Sequence, residues 1–176
     1  MSRLFCCVLF LLSNLAIADT AVQAEIDRSV WTPFHAAFEQ RDGQELNAIY
    51  AESVLRVTPD GIDTQGQFKT FNLTRFDANI AKGEQIALDF WFDSRRTNST
   101  TSYDVGFYRI RINPPKNSTS EQGAPETKPV TFYGQFHIVV KKIQGRWKIV
   151  QDWDTDTIGG RSITAEDFAR RPPIHF

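Results

Sequence analysis

The chain has 176 residues, of which 41% are apolar, 23% charged and 12% aromatic, and its formal net charge is −1. This length and composition are those of one ordinary globular domain, and they exclude an intrinsically disordered chain or a long repeat array. A net charge so near zero gives no electrostatic reason to expect nucleic acid or an anionic membrane as a partner. The two cysteines are too few for a disulfide scaffold.

Residues 1–18 have the pattern of a secretory signal peptide. A positively charged start, Met1 to Arg3, precedes the unbroken apolar run Leu4 to Leu12, and Ala16 to Ala18 form a small-x-small cleavage site. The apolar run is shorter than the roughly 20 residues that a spanning helix needs. We predict cleavage before Asp19, which removes both cysteines and leaves an exported domain, periplasmic or secreted, with no membrane contact.

The first half of the predicted domain is mostly helical. Apolar residues recur every four positions from Val22 to Phe38, which predicts a helix that Pro33 should kink or split. A short second helix is expected over 46–50, a strand over 54–58 and a third helix over 68–80. A Pro-Asp-Gly turn signal follows the strand.

The second half changes to the period of two that is typical of strands. We predict strands over 86–93, 102–113, 130–142 and 146–156, with a long polar loop between the second and third of these. The element order α-α-β-α-β-β-β-β predicts one domain over residues 19–176. Its fold class is α+β, with about three helices laid on one antiparallel sheet.

The last two strands predict a hairpin whose register decides which side chains meet. If the connection has an even number of residues, facing positions sum to 289, so that His137 stands opposite Asp152 and Gln135 opposite Asp154. A bulge at Gly145 would break this pairing. The other face of the hairpin is apolar, and it carries Phe136, Ile138, Val140, Trp147, Ile149 and Trp153.

The two faces of this hairpin allow two interpretations. In the first, the apolar face packs under the helices and the polar face meets water, as antiparallel sheets commonly do. In the second, the polar face lines a pocket beneath the helices and a second subunit covers the apolar face. The periodicity alone does not choose between them.

Three segments in order resemble the NTF2-like, or SnoaL-like, superfamily. They are the opening from Trp31 to Gly61, the strand YDVGFY (Tyr103 to Tyr108) and the closing hairpin YGQFHIVVKKIQGRWKIVQDWD (Tyr133 to Asp154). The resemblance implies a curved sheet around a conical cavity, often with a homodimer through the outer sheet face, and it favours the second interpretation. By position, the cavity would be lined by Arg56, Thr58, Asp104, Tyr108, Gln135, His137, Asp152 and Asp154.

The catalytic positions of ketosteroid isomerase-like members are not retained. Matched residue by residue, the proton-accepting Asp falls at Thr58, the tyrosine at Phe34, and the second acid at or near His137. Neither Thr nor Phe supports the proton chemistry that those positions require. Whether the chain is an enzyme is therefore left open by the resemblance.

Other motifs are few. The sequence has no phosphate-binding glycine loop, no nucleophile elbow and no histidine spacing of a metal site, so we expect no cofactor and no metal. Asn-x-Ser/Thr triplets at Asn72, Asn98 and Asn117 would be glycan acceptors in a eukaryotic secretory pathway.

Three functional hypotheses follow. The first is an exported binding protein whose pocket holds a small organic ligand of unknown identity, with Arg56, His137 and Asp152 meeting its polar end. The second is an isomerase, hydratase or hydrolase that uses His137 and Asp152 as an acid–base dyad. The third is a structural role as an assembly dimer.

Overall fold

The computed structural model describes residues 20–115 and 128–175. The predicted signal peptide and most of the predicted polar loop, including Asn117, lie outside the described residues. The helices and strands occur in the predicted order of an α+β domain.

The first helix, α1, runs from residue 20 to residue 40 and accommodates Pro33 without a break. An α-helical start over 20–26 passes into the π-helical segment Asp27–Trp31 and then into the α-helix Thr32–Gln40. The backbone N–H of Thr32 reaches back five residues to the carbonyl of Asp27. The predicted kink or split at Pro33 is therefore absent, and the helix has instead one widened, π-helical turn just before the proline.

Two helices and two strands follow, and the strands form one edge of the main sheet. They are α2 (Gly43–Ile49), β1 (Tyr50–Thr58), β2 (Gly61–Asp63) and α3 (Gln67–Ala81). The carboxylate of Asp42 caps α2 by accepting hydrogen bonds from the backbone amides of Gln44 and Glu45 at 3.0 and 2.9 Å. In the same way, Asp63 accepts a 2.7 Å bond from the Phe68 amide at the start of α3.

The main sheet has six strands in the order β2-β1-β6-β5-β4-β3. Its long strands are β3 (Gln85–Thr97), β4 (Thr101–Asn113), β5 (Val130–Ile143) and β6 (Arg146–Thr155). Every pair is antiparallel except β1 with β6, which is parallel. We expected a purely antiparallel sheet, and the parallel pair was not predicted because β1 and β6 lie far apart in the sequence.

The predicted hairpin register holds near the turn and is wrong beyond it. Val140 faces Ile149 and Ile143 faces Arg146, which sum to 289, but Val139 faces Gln151. Val150 is thus an extra residue in β6, a β-bulge that shifts every later pair by one. His137 faces Trp153 and Ile138 faces Asp152, so the predicted pairing of His137 with Asp152 does not exist.

The apolar face of the hairpin packs beneath the helices. Phe136, Ile138, Val140, Trp147 and Ile149 belong to one buried cluster with the apolar side of α1. The interpretation favoured by the resemblance, with this face outside, is therefore wrong. The bulge changes the end of β6, where Asp152 turns inward and Trp153 outward, leaving Trp153 38% exposed.

The C-terminal segment covers part of the outer sheet face. After β6 come a small hairpin, β7 (Thr157–Ile158) with β8 (Arg161–Ser162), and the single-turn helix α4 (Ala165–Phe168). Ile163 and Phe168 pack with Trp91 and Phe107 in a second buried cluster. The Trp91 indole N–H donates a 2.8 Å bond to the Phe168 carbonyl.

Candidate ligand-binding cavity

A cavity of about 500 Å³ lies between the inner face of the sheet and the helices. Most of its wall is apolar, formed by side chains that include Phe34, Phe68, Leu88, Phe90, Ile110 and Ile138. Two further wall residues, Ile62 and Phe71, are 71% and 61% exposed. The cavity therefore reaches the surface between β2 and α3.

A polar cluster of Tyr50, Arg56, Asp152 and Asp154 forms one part of the wall. Tyr50 donates a 2.7 Å hydrogen bond to Oδ2 of Asp152. The Arg56 guanidinium donates to Oδ1 of Asp152 at 3.2 Å and to Asp154 at 2.6 Å. Arg56 and Asp152 are neighbours in the parallel β1–β6 register, which brings both side chains to the same face.

Burial shapes the protonation of this cluster. Asp152 is 5% exposed, and burial raises its pKa, although the Arg56 charge and the Tyr50 hydrogen bond oppose the rise. Burial, with the nearby Asp152 charge, also raises the pKa of Tyr50 well above its usual range, so the phenol stays neutral. Burial works to lower the pKa of Arg56, but Asp152, Tyr50 and Asp154 together outweigh it, so the net shift is upward.

Tyr108 lies in the same wall, on β4, and its ring rests against Gly134 on β5. A Cβ atom at position 134 would overlap the Tyr108 ring, so this neighbouring glycine gives the ring its room. Burial raises the pKa of Tyr108, which therefore presents a neutral hydroxyl. The position of Tyr108 in the cavity is the one that the resemblance implied.

Helix α3 adds residues that the sequence interpretation missed. Phe68, Phe71, Asn72 and Arg75 all line the cavity, and their spacing of three, four and seven places them on one helix face. The sequence did contain a signal for this face, because Arg75 follows Phe68 and Phe71 at helical spacing. Asn72 is buried and donates a 3.1 Å hydrogen bond to Asn47, so in the folded chain its side chain is not open to a glycan.

Two of the predicted site residues lie on the other side of the sheet. The His137 ring contacts Tyr103, with Nδ1 2.7 Å from the Tyr103 hydroxyl, and its centroid is 4.5 Å from that of Trp153. Gln135 lies beside it, 3.3 Å from Nε2. Burial lowers the pKa of His137. The structure does not bring His137 and Asp152 together, so the predicted acid–base dyad is wrong.

Asp104 points inward but is used by the core. It is fully buried and accepts hydrogen bonds from the Trp31 indole N–H at 2.8 Å and the Ser102 hydroxyl at 2.5 Å. Arg95 donates a 3.3 Å hydrogen bond to Oδ2, the same oxygen that accepts from Trp31. Asp104 is not among the residues of the cavity wall.

Arg56, Thr58, Asp152 and Asp154, in contrast, are in the wall, as the resemblance implied. Phe34 also lines it, so the positions that would carry a base and a tyrosine in ketosteroid isomerase-like proteins hold Thr58 and Phe34 inside this cavity. Whether these wall residues contact a ligand stays a prediction. Within residues 20–115 and 128–175, no group of three or more His, Cys, Asp or Glu side chains could hold a metal ion.

Solved structures share this architecture. A conserved protein from Planctomyces limnophilus has a TM-score of 0.59 at 16% identity, over 77% of this chain and 96% of its own. A candidate dehydratase of the NTF2-like family from Streptomyces avermitilis has a TM-score of 0.58 at 15% identity, over 81% and 99%. An NTF2-like superfamily protein from Salmonella enterica has a TM-score of 0.57 at 12% identity, over 82% and 99%.

The class of fold follows from these comparisons. The protein has the NTF2-like fold, with a curved six-stranded sheet and N-terminal helices. No protein-family model matches the sequence, and a comparison with curated proteins finds no match. Identities this low show the fold alone. No helix among the described residues is long and apolar enough to cross a membrane.

Proposed function

We propose that this protein binds a small organic molecule with a largely apolar body in the cavity under the sheet. The observation that carries the proposal is a cavity of about 500 Å³ with an aromatic and aliphatic wall and a few convergent polar groups. Pockets for small molecules have this size and this mixture. The exposed Ile62 and Phe71 give an apolar molecule a path into the cavity.

The polar cluster supports binding more directly than catalysis. Both oxygens of Asp152 already accept hydrogen bonds, from Arg56 and Tyr50, so this carboxylate is held rather than presented as a base. The cluster offers a ligand fixed polar groups instead. An isomerase, hydratase or hydrolase remains the alternative, and the dehydratase-like neighbour supports it through fold alone.

Filling the cavity tests the proposal. Ile110 lines the cavity and is half-buried, so Ile110→Trp should occupy ligand space and abolish binding of 1-octanol measured by calorimetry. Ile143→Trp, at the exposed end of the β5–β6 hairpin, is the matched control and should bind as the unmodified protein does. Equal binding by both variants would contradict the proposal. Mass spectrometry of co-purifying molecules would identify the ligand.

We further propose that the domain is exported after cleavage before Asp19 and forms a homodimer through the outer sheet face. The signal pattern supports the first statement, and Tyr103 and Trp153, exposed on the uncovered part of that face, support the second. Native mass spectrometry of the protein recovered from outside the cytoplasm should give twice the mass of a chain starting at Asp19. A single chain retaining residues 1–18 would contradict both.

A further inference from the structure

Arg75 is a cation of the cavity wall that no carboxylate of the described residues contacts directly. Within the described residues it forms no ion pair, and its one hydrogen bond is a 3.3 Å contact with the neutral Asn72 side chain. Its Nε is buried without a hydrogen-bond partner. Arg56, in contrast, contacts two carboxylates at 3.2 and 2.6 Å.

Aromatic rings hold Arg75 in place but do not neutralise it. Its guanidinium carbon lies 4.8 Å from the centroid of Phe76, 5.3 Å from that of Phe38 and 5.6 Å from that of Phe71. Such contacts offset part of the cost of burying a cation. They leave the hydrogen-bonding edge of the guanidinium short of acceptors. A partly buried charge without an opposite charge in contact is unfavourable.

We infer that the cavity takes a monocarboxylate with an apolar body and that Arg75 binds its carboxylate. This inference rests on the proposed binding function and names the ligand class. A planar carboxylate matches the two-pronged guanidinium edge and supplies the missing charge. The apolar wall, Phe68 and Ile110 included, would take the rest of the molecule.

The other charges of the cavity favour one negative charge on the ligand rather than two. Arg56 faces both Asp152 and Asp154, which leaves that cluster with an excess of one negative charge when both carboxylates are ionised. Asp60 and Asp63, which also line the cavity, are acidic too. A dianionic phosphate would add two negative charges to this surplus, whereas a monocarboxylate adds one, and Arg75 faces that one directly.

Octanoate and 1-octanol, which share an eight-carbon body, test the inference by calorimetry. The unmodified protein should bind octanoate at least tenfold more tightly than 1-octanol. Arg75→Gln should remove that preference by weakening octanoate binding at least tenfold more than 1-octanol binding, and Arg75→Lys should restore part of it. The matched control, Arg96→Gln, alters an exposed arginine outside the cavity wall and should keep the full preference.

The outcomes separate the two proposals. If the unmodified protein binds 1-octanol as tightly as octanoate, or if Arg75→Gln weakens both equally, the carboxylate inference is wrong and the binding function stands. If the unmodified protein binds neither probe, the result counts against the proposed function itself. Thermal unfolding of Arg75→Gln, compared with Arg96→Gln, checks that a lost preference does not reflect a lost fold.

Discussion

Arg56→Ala is expected to lower the free energy of unfolding by about 3–5 kcal/mol, the usual cost of removing one partner of a buried ion pair. The substitution leaves Asp152 buried with Tyr50 as its remaining side-chain partner, and it takes the 2.6 Å contact away from Asp154. Urea denaturation at pH 7 measures the loss. Arg96→Ala, at an exposed arginine, is the control and should cost less than about 1 kcal/mol.

The loss in Arg56→Ala should shrink as the pH falls. Burial already raises the pKa of Asp152 above its ordinary 3.8, and removing Arg56 removes the charge that opposes the rise. A carboxyl with a raised pKa in the folded state takes up its proton more readily there than in the unfolded chain, which stabilises the fold. That stabilisation is complete below the unfolded pKa and is lost as the pH rises through the folded one.

This pH dependence is tested by the difference in the free energy of unfolding between the unmodified protein and Arg56→Ala, measured at each pH. The difference is used because other titrating groups contribute equally to both proteins. The difference should be smaller at pH 4 than at pH 8. A difference that is constant with pH, or smaller than that of Arg96→Ala, would contradict the role assigned to the Arg56–Asp152 pair.

The fold was predictable from periodicity, and the site was predictable only in part. Apolar spacing of four and then of two indicates the helices and strands in order, and the Gln144–Gly145 turn, where both residues have positive φ, fixes the register nearby. The bulge at Val150 has no comparable local signal. Strict alternation of side chains along β6 would place Trp153 on the apolar face. Its true position on the outer face depends on contacts with other strands, which the local sequence does not reveal.

The bulge and the parallel β1–β6 pair act together at the polar cluster. The bulge turns Asp152 inward, and the parallel register places Arg56 next to it. Neither feature is visible in one strand alone, because each depends on a partner far away in the chain. Arg75 was missed for a simpler reason: an arginine on a helix is usually solvated, and its burial depends on which face the sheet covers.

Asp104→Ala is expected to destabilise the protein by about 2–4 kcal/mol, because it leaves the buried Trp31 N–H unsatisfied and breaks a buried ion pair. Arg95 keeps its 2.8 Å contact with Asp27, which limits the loss. Asp89→Ala on the neighbouring strand is the matched control. Asp89 pairs with Arg109 at 2.8 Å and with Arg111 at 3.1 Å in a partly exposed site, where each such pair contributes up to about 1 kcal/mol.

A second substitution at this position, Asp104→Asn, decides whether Asp104 is a structural residue or a ligand contact. Asp104→Asn keeps an oxygen for the Trp31 N–H, so it should recover part of the stability. At a temperature where it remains folded, it should bind 1-octanol within about threefold of the unmodified protein, since a factor of three is less than 1 kcal/mol. Weaker ligand binding with unchanged stability would instead place Asp104 in the site, as the resemblance implied. If Asp104→Ala is no less stable than Asp89→Ala, the structural role derived from the hydrogen bonds of Asp104 is wrong.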